Sequence, residues 1–337
     1  MIRAIDWLIE PAHAAIAASL LFAFTSLVAM LLLYFRRRRA ERGLAHVNQA
    51  DRDLSRGLMV RLETADESNV LAPHAINPQQ LERVFSRLLQ LVRGPDRDRL
   101  LLIAETMRVP DPAIAQLQHR WAARRIDALR TLEQFPVPQV VRAISECMAT
   151  DRSPLVRTEA AATLTRIGSV PSPSAIIDAL SLRTTNPSLL HAAIFRTGSV
   201  RHGAEMARLT NELPTGRLRS MIAEAIGWSE DFAMLPILAD FARSNDPELR
   251  IAGLKAARQL GHPGARTWVL PMLLDPVDEV RVQAARTCGH LGLVDAIPIL
   301  SRLVENSSWW VRTRAAEALA LLRPAQPAPF PVTGLRK

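Results

Sequence analysis

From residue 151 onward, apolar and polar positions recur with a fixed period. A Val-Arg or Leu-Arg pair stands at 156, 218, 249, 280 and 311, in steps of 62, 31, 31 and 31 residues. Three and four residues after each arginine come Ala160-Ala161, Ile222-Ala223, Gly253-Leu254, Ala284-Ala285 and Ala315-Ala316. Gly168, Gly261 and Gly292 stand eleven residues after theirs. The unit skipped by the 62-residue step is present in degenerate form at 186–198, another lies at 124–135, and one more begins near Asp96, giving six or seven units. Within each unit the apolar positions share one helical face. Ser153-Pro154 and Asp246-Pro247 supply an N-cap followed by proline, and the glycines can close the helix in a left-handed residue. A second apolar run follows, as in 175–180, 232–242 and 295–304. Each unit therefore reads as a helical hairpin. One hairpin cannot bury its apolar face alone, so the units must stack. The pattern predicts an all-α chain built as a curved, right-handed α-solenoid over 81–323, clearest over 151–323.

The N-terminal pattern is different. Residues 14–35 are 22 consecutive uncharged residues, followed at once by Arg36, Arg37, Arg38 and Arg39. As a helix, such a run is roughly 33 Å long, enough for a hydrocarbon core of ~30 Å. The arginine side is expected in the cytoplasm and the N-terminus outside. A cleaved signal peptide would carry its positive charge before the apolar run and a small-residue site after it, whereas here Arg3 is set against Asp6 and Glu10 and no convincing small-residue site follows. The expectation is one transmembrane helix within an N-terminal segment, 1–35. A basic juxtamembrane helix over 36–61 comes next, with Leu44, Val47, Leu54 and Leu58 at helical spacing. It reads as an interfacial helix, a stalk or a plain connector. Residues 62–80 read as a linker, and the proline-rich 324–337 as a disordered tail.

Composition and charge narrow the chemistry. The 337 residues are 48% apolar and 22% charged, so a sizeable core can form. Two cysteines, Cys147 and Cys288, exclude a disulfide scaffold or a zinc ribbon. The net charge of +9 invites a nucleic-acid reading, but its excess is concentrated in 36–61 at +5, whereas 151–323 carries only +3.

The D-P-x-(V/L)-R-x-x-A-A-x-x-L-x-x-(L/I)-G pattern resembles the HEAT repeat, in its short bacterial form called the PBS-lyase HEAT-like repeat. The resemblance covers 151–323 well and 95–150 loosely. It implies that Arg157, Arg219, Arg250, Arg281 and Arg312 form a structural ladder. Each would pair with an acidic residue of a neighbouring helix, with Asp151, Asp246, Asp275 and Asp278 as candidates. The other reading of the ladder is an anion-binding stripe. Deoxyhypusine hydroxylases are HEAT-like di-iron enzymes that depend on His-Glu pairs, and none of the eight histidines here precedes a glutamate. There is no HExxH, P-loop, GxGxxG or GxSxG motif. Cys288 falls in an apolar core slot of its repeat, and Cys147 is placed likewise. Trp309 and Trp310 open the last repeat where earlier units carry acidic or proline-acidic pairs. They read either as an interaction hot spot or as a C-terminal cap beneath the tail.

These readings combine into an expectation of a membrane-anchored, non-enzymatic scaffold with no catalytic residue, metal or cofactor and no small-molecule substrate. It would sit at the inner face of a bacterial cytoplasmic membrane and be held in the bilayer by 14–35. Its concave, second-helix surface would present to a membrane-associated protein, with a glycosyltransferase of envelope-polysaccharide export as a candidate. The alternatives are a nucleic-acid-binding protein of the alkylpurine DNA glycosylase type and a bilin-lyase-like enzyme.

Overall fold

The computed structural model describes residues 22, 25–27, 30, 31, 34, 49–60 and 77–323. Among these the regular structure is entirely helical. The backbone divides into two compact units, Met1–Val109 and Pro110–Lys337.

The first unit contributes helical residues 49–60 (α1), α2 (Pro78–Leu91) and α3 (Pro95–Thr106). Leu54 and Leu58 of α1 are buried, and Asp51 lies 3.8 Å from Arg83 of α2. Helix α2 begins inside the stretch read as a linker. Asn77 accepts the Gln79 N–H through its side chain, and Pro78 follows in the first turn, where a missing N–H costs nothing.

The second unit opens with α4 (Asp111–Gln116). It then runs through helical pairs: α5 (Ala122–Leu132) with α6 (Pro138–Thr150), and α7 (Pro154–Arg166) with α8 (Pro173–Ala179). Helix α9 (Leu189–Glu212) forms a pair by itself. Next come α10 (Arg217–Ala225) with α11 (Leu235–Ala242), α12 (Pro247–Leu260) with α13 (Arg266–Val269), and α14 (Asp278–His290) with α15 (Ile297–Leu303). The first helix of a further pair, α16 (Trp309–Leu322), ends the described chain. The arrangement is a solenoid-like stack of helices. First helices lie side by side, α10 on α12, α12 on α14 and α14 on α16, while each second helix packs against the next first helix.

The sequence dictates both halves of a pair. Val156, Val280 and Val311 are fully buried along with Ala160, Ala284 and Ala315. Each buried valine is worth about 1.5 to 3 kcal/mol. Gly168, Gly261 and Gly292 all adopt left-handed φ at the ends of their helices. The second helices α8, α11, α13 and α15 are short, eight residues or fewer, and proline interrupts one of them. Helix α13 is only four residues long, between 3-10 turns that begin at Pro263 and Pro271. In α9 no loop separates the two halves, and a kink at His202 (φ −121°, ψ 20°) does the work of a turn.

The transmembrane expectation is corrected here. Among the described residues no helix is long and apolar enough to cross a membrane. A span needs about 20 consecutive apolar residues. The longest described helix, α9, carries Arg196, Arg201, Glu205, Arg208 and Glu212 and is kinked. The anchor at 14–35 and the contact with a bilayer are therefore not carried forward. With them go the N-outside topology, the inner-membrane location, the membrane-associated partner and the polysaccharide-export setting. Most of 14–35 lies outside the described residues, as do Arg36, Arg37, Arg38 and Arg39, residues 62–76 and the tail 324–337.

Close approach of first helices has a local requirement. A Cβ on Gly227 would lie 2.5 Å from the Ala256 carbonyl oxygen, and one on Gly289 would lie 3.0 Å from the Ala318 Cα. Both obstacles are backbone and cannot swing aside. Gly227→Ala is expected to cost about 2 kcal/mol through overpacking. The check is the urea midpoint, which should fall for Gly227→Ala and stay near wild type for Gly57→Ala, where a Cβ meets open space.

Candidate functional site

The arginine ladder is the most regular polar feature of the second unit. In α12, Arg250 donates from Nε and Nη2 to the two carboxylate oxygens of Asp275, at 2.8 and 2.9 Å. Its Nη1 donates to the carbonyls of Ser244 and Asn245, in the loop before its own helix. Asp275 accepts the Val277 N–H at 2.9 Å and so shapes the loop that starts α14. Its carbonyl in turn accepts from Arg281 Nη1. The same construction occurs earlier in the unit. Arg125 forks onto Asp151 at 2.7 and 2.9 Å and grips the carbonyls of His119 and Arg120. Asp151 accepts the Ser153 N–H, and its carbonyl accepts from Arg157.

The remaining positions are partial. Arg312 holds the carbonyls of Asn306 and Ser307. Arg219 donates to the Thr210 carbonyl and lies 3.7 Å from Asp246, which caps α12 by accepting the Glu248 N–H. Asp278 binds Arg281 within its own helix rather than bridging repeats. Sequence reasoning missed Arg125, whose unit lacks the Val-Arg pair. The signal was the arginine 32 residues before Arg157. The guanidiniums are occupied by loop carbonyls and carboxylates, which leaves little of the ladder for an external anion.

Electrostatics follow from this geometry. Burial raises the Asp151 pKa, but the Arg125 hydrogen bonds, the Ser153 N–H and the charges of Arg125 and Arg152 outweigh it and hold the carboxyl below its usual value. Cys147 is pushed up to about 11 by burial first and then by the Asp151 charge. Cys288, fully buried, is pushed up to about 12 by burial. Neither thiol is a thiolate at neutral pH, and the thiolate is the nucleophile. His191 is buried and its pKa is lowered by desolvation. Its Nδ1 accepts the Ser188 N–H in a capping box. Among the described residues no group of three His, Cys, Asp or Glu side chains could hold a metal ion.

Trp309 and Trp310 are the first two residues of α16 and are 56% and 59% exposed. Their ring centroids are 4.5 Å apart at 76°, an edge-to-face pair. The platform beneath them is fixed. Val311 is fully buried, Arg312 binds the preceding loop, and Asn306 accepts the Ser308 N–H. The two indoles therefore present a large apolar surface at small ordering cost.

The family model of HEAT repeats matches residues 273–330. No curated protein matches the chain. Among solved structures, human deoxyhypusine hydroxylase in complex with glycerol is similar over 73% of this chain and 96% of its own, at 15% identity and a TM-score of 0.31. Two engineered proteins give 19% and 18% identity. One covers 63% of this chain and 96% of its own, the other 79% and 68%, both with TM-scores of 0.27. At these TM-scores the likenesses carry no argument about activity.

Asp151→Asn removes one partner of a buried pair and leaves Arg125 uncompensated, at an expected cost of about 3 kcal/mol at pH 7. Because the folded pKa lies below the unfolded value near ~3.9, the pair's contribution is complete above that value. It is lost as pH falls through the folded pKa. Thermal melts of wild type and Asp151→Asn should differ most near neutrality and converge in acid. A constant difference down to the acid limit would exclude the ionised pair as the source.

Proposed function

We propose that this chain is a non-enzymatic HEAT-like scaffold that binds a protein partner, with Trp309 and Trp310 as the anchor of the contact. The observation that carries this reading is the pair of adjacent, half-exposed indoles at the start of α16, held on a rigid helix. Interface hot spots are enriched in tryptophan, and an anchor is most effective where its backbone is already ordered. The unreactive state of both thiols and the structural work done by the ladder arginines favour a binding role over catalysis.

The test is in-cell crosslinking of the full-length, tagged protein in its source organism, with mass spectrometry of the recovered complexes. Wild type is expected to enrich one protein at near-equal amounts. Trp309→Ala/Trp310→Ala, with unchanged far-UV circular dichroism and melting temperature, is expected to weaken that capture about tenfold or more. Equal recovery by both proteins would contradict the assignment of the contact. Recovery of nucleic acid in place of a protein would contradict the scaffold reading itself.

A further inference from the structure

A second set of residues, distinct from the tryptophan pair, carries an unbalanced cluster of cations. Across neighbouring first helices, residues 28 or 31 apart in sequence meet. Arg196 of α9 donates to Glu224 of α10 at 2.8 Å, Lys255 of α12 donates to the same carboxylate at 3.1 Å, and Ser220 donates to Glu248 at 3.3 Å. The same register sets Arg286 of α14, which is exposed, 31 residues from Lys255 and 28 from Arg258. Arg286 lies within electrostatic reach of Arg258, Lys255 stands one turn before Arg258 on α12, and among the described residues neither Arg258 nor Arg286 forms an ion pair with a carboxylate.

Arg258 stands at the repeat position that Gly227 and Gly289 occupy in the flanking units, where a side chain meets the next helix. Burial lowers its pKa, the Arg286 charge lowers it further, and Glu224 offsets this in part. Glu224, the acid whose charge acts on Arg258, is already shared by Arg196 and Lys255.

Next to this cluster, over α9, α10 and α12, lies a recess of about 490 Å³. Its apolar lining comes from Ala192, Met221, Ile251 and Ala252, and Leu189 stands at its rim, 82% exposed. A leucine-sized side chain fits such a recess, and its charged lining sets Arg196, Arg217 and Lys255 against Glu224 and Glu248. Helix axes in contact are about 8 to 10 Å apart, so the path from α9 to α14 covers about 25 to 30 Å, or about nine residues of extended chain.

We propose that this face binds an acidic peptide segment of a partner protein, with its carboxylates on Lys255, Arg258 and Arg286 and an apolar side chain in the recess. The proposal adds a partner chemistry to the scaffold reading and rests on residues other than Trp309 and Trp310, so the two can fail separately.

The experiment is fluorescence anisotropy on the full-length protein. The probes are a labelled ten-residue peptide of two leucines and eight glutamates, its glutamine counterpart, and a short DNA duplex. At about 50 mM salt the acidic peptide should bind at least about tenfold more tightly than the glutamine peptide, with the gap shrinking as salt is raised. Arg258→Glu/Arg286→Glu should abolish that preference. Arg286→Gln, a milder change at an exposed site, should reduce it several-fold. Trp309→Ala/Trp310→Ala should leave it intact. Failure of the acidic peptide to bind, equal binding of both peptides, indifference to the stripe variants, or tighter binding of the duplex would each overturn the proposal.

Discussion

Each complete arginine of the ladder holds two loops at once. One edge of the Arg250 guanidinium takes the carbonyls of the loop before α12, and the other takes the carboxylate of Asp275 in the loop before α14. Asp275 then turns its own loop through the Val277 N–H and passes its carbonyl to Arg281. Backbone polar groups that would otherwise be orphaned near the starts of successive helices are thereby satisfied by a single side chain type. Apolar burial drives the stacking. The ladder fixes the register in which it happens, because a planar fork accepts only a narrow range of partner geometry.

That register determines what the surface can display. The 28- and 31-residue contacts that join Arg196, Glu224 and Lys255 also gather Lys255, Arg258 and Arg286. The arginines that hold loop carbonyls build the frame, and the ones left unpaired on it are available to a partner. At the end of the described stack, Arg312 and Val311 hold the start of α16, and the two indoles stand on that fixed base.

Much of the repeat was legible in the sequence because packing enforces it at fixed spacing. The Val-Arg phase, the alanine pairs and the left-handed glycines can be read from residues alone. Asp151 and Asp275 could be named as ladder partners; Asp246 lies 3.7 Å from Arg219 without receiving a fork and also caps its own helix, and Asp278 serves its own helix. The reason lies 25 or 26 residues after the arginine, where Asp151 stands for Arg125. Asp275 occupies that position for Arg250, whereas Ser244 and Asn306 occupy it for Arg219 and Arg281 and cannot accept a fork. Arg125 was missed because its unit lacks the apolar residue before the arginine. The kink in α9 was hidden because apolar spacing continues through it. The hydropathy of 14–35 suggested an anchor, but no described helix provides a span. The cation cluster was invisible to linear charge counting, since a net +3 over 151–323 says nothing about which side chains share a face.

If the ladder couples neighbouring repeats, a double-mutant cycle on the buried Arg250–Asp275 pair will reveal it. Arg250→Met, Asp275→Asn and the double variant would be compared by urea unfolding. Each single variant is expected to be destabilised by about 3 kcal/mol, and the double variant to cost much less than their sum. That outcome would give a coupling energy of at least ~1.5 kcal/mol. Strict additivity would contradict it, because the two side chains would then be acting independently and could not be what sets the register of the repeats.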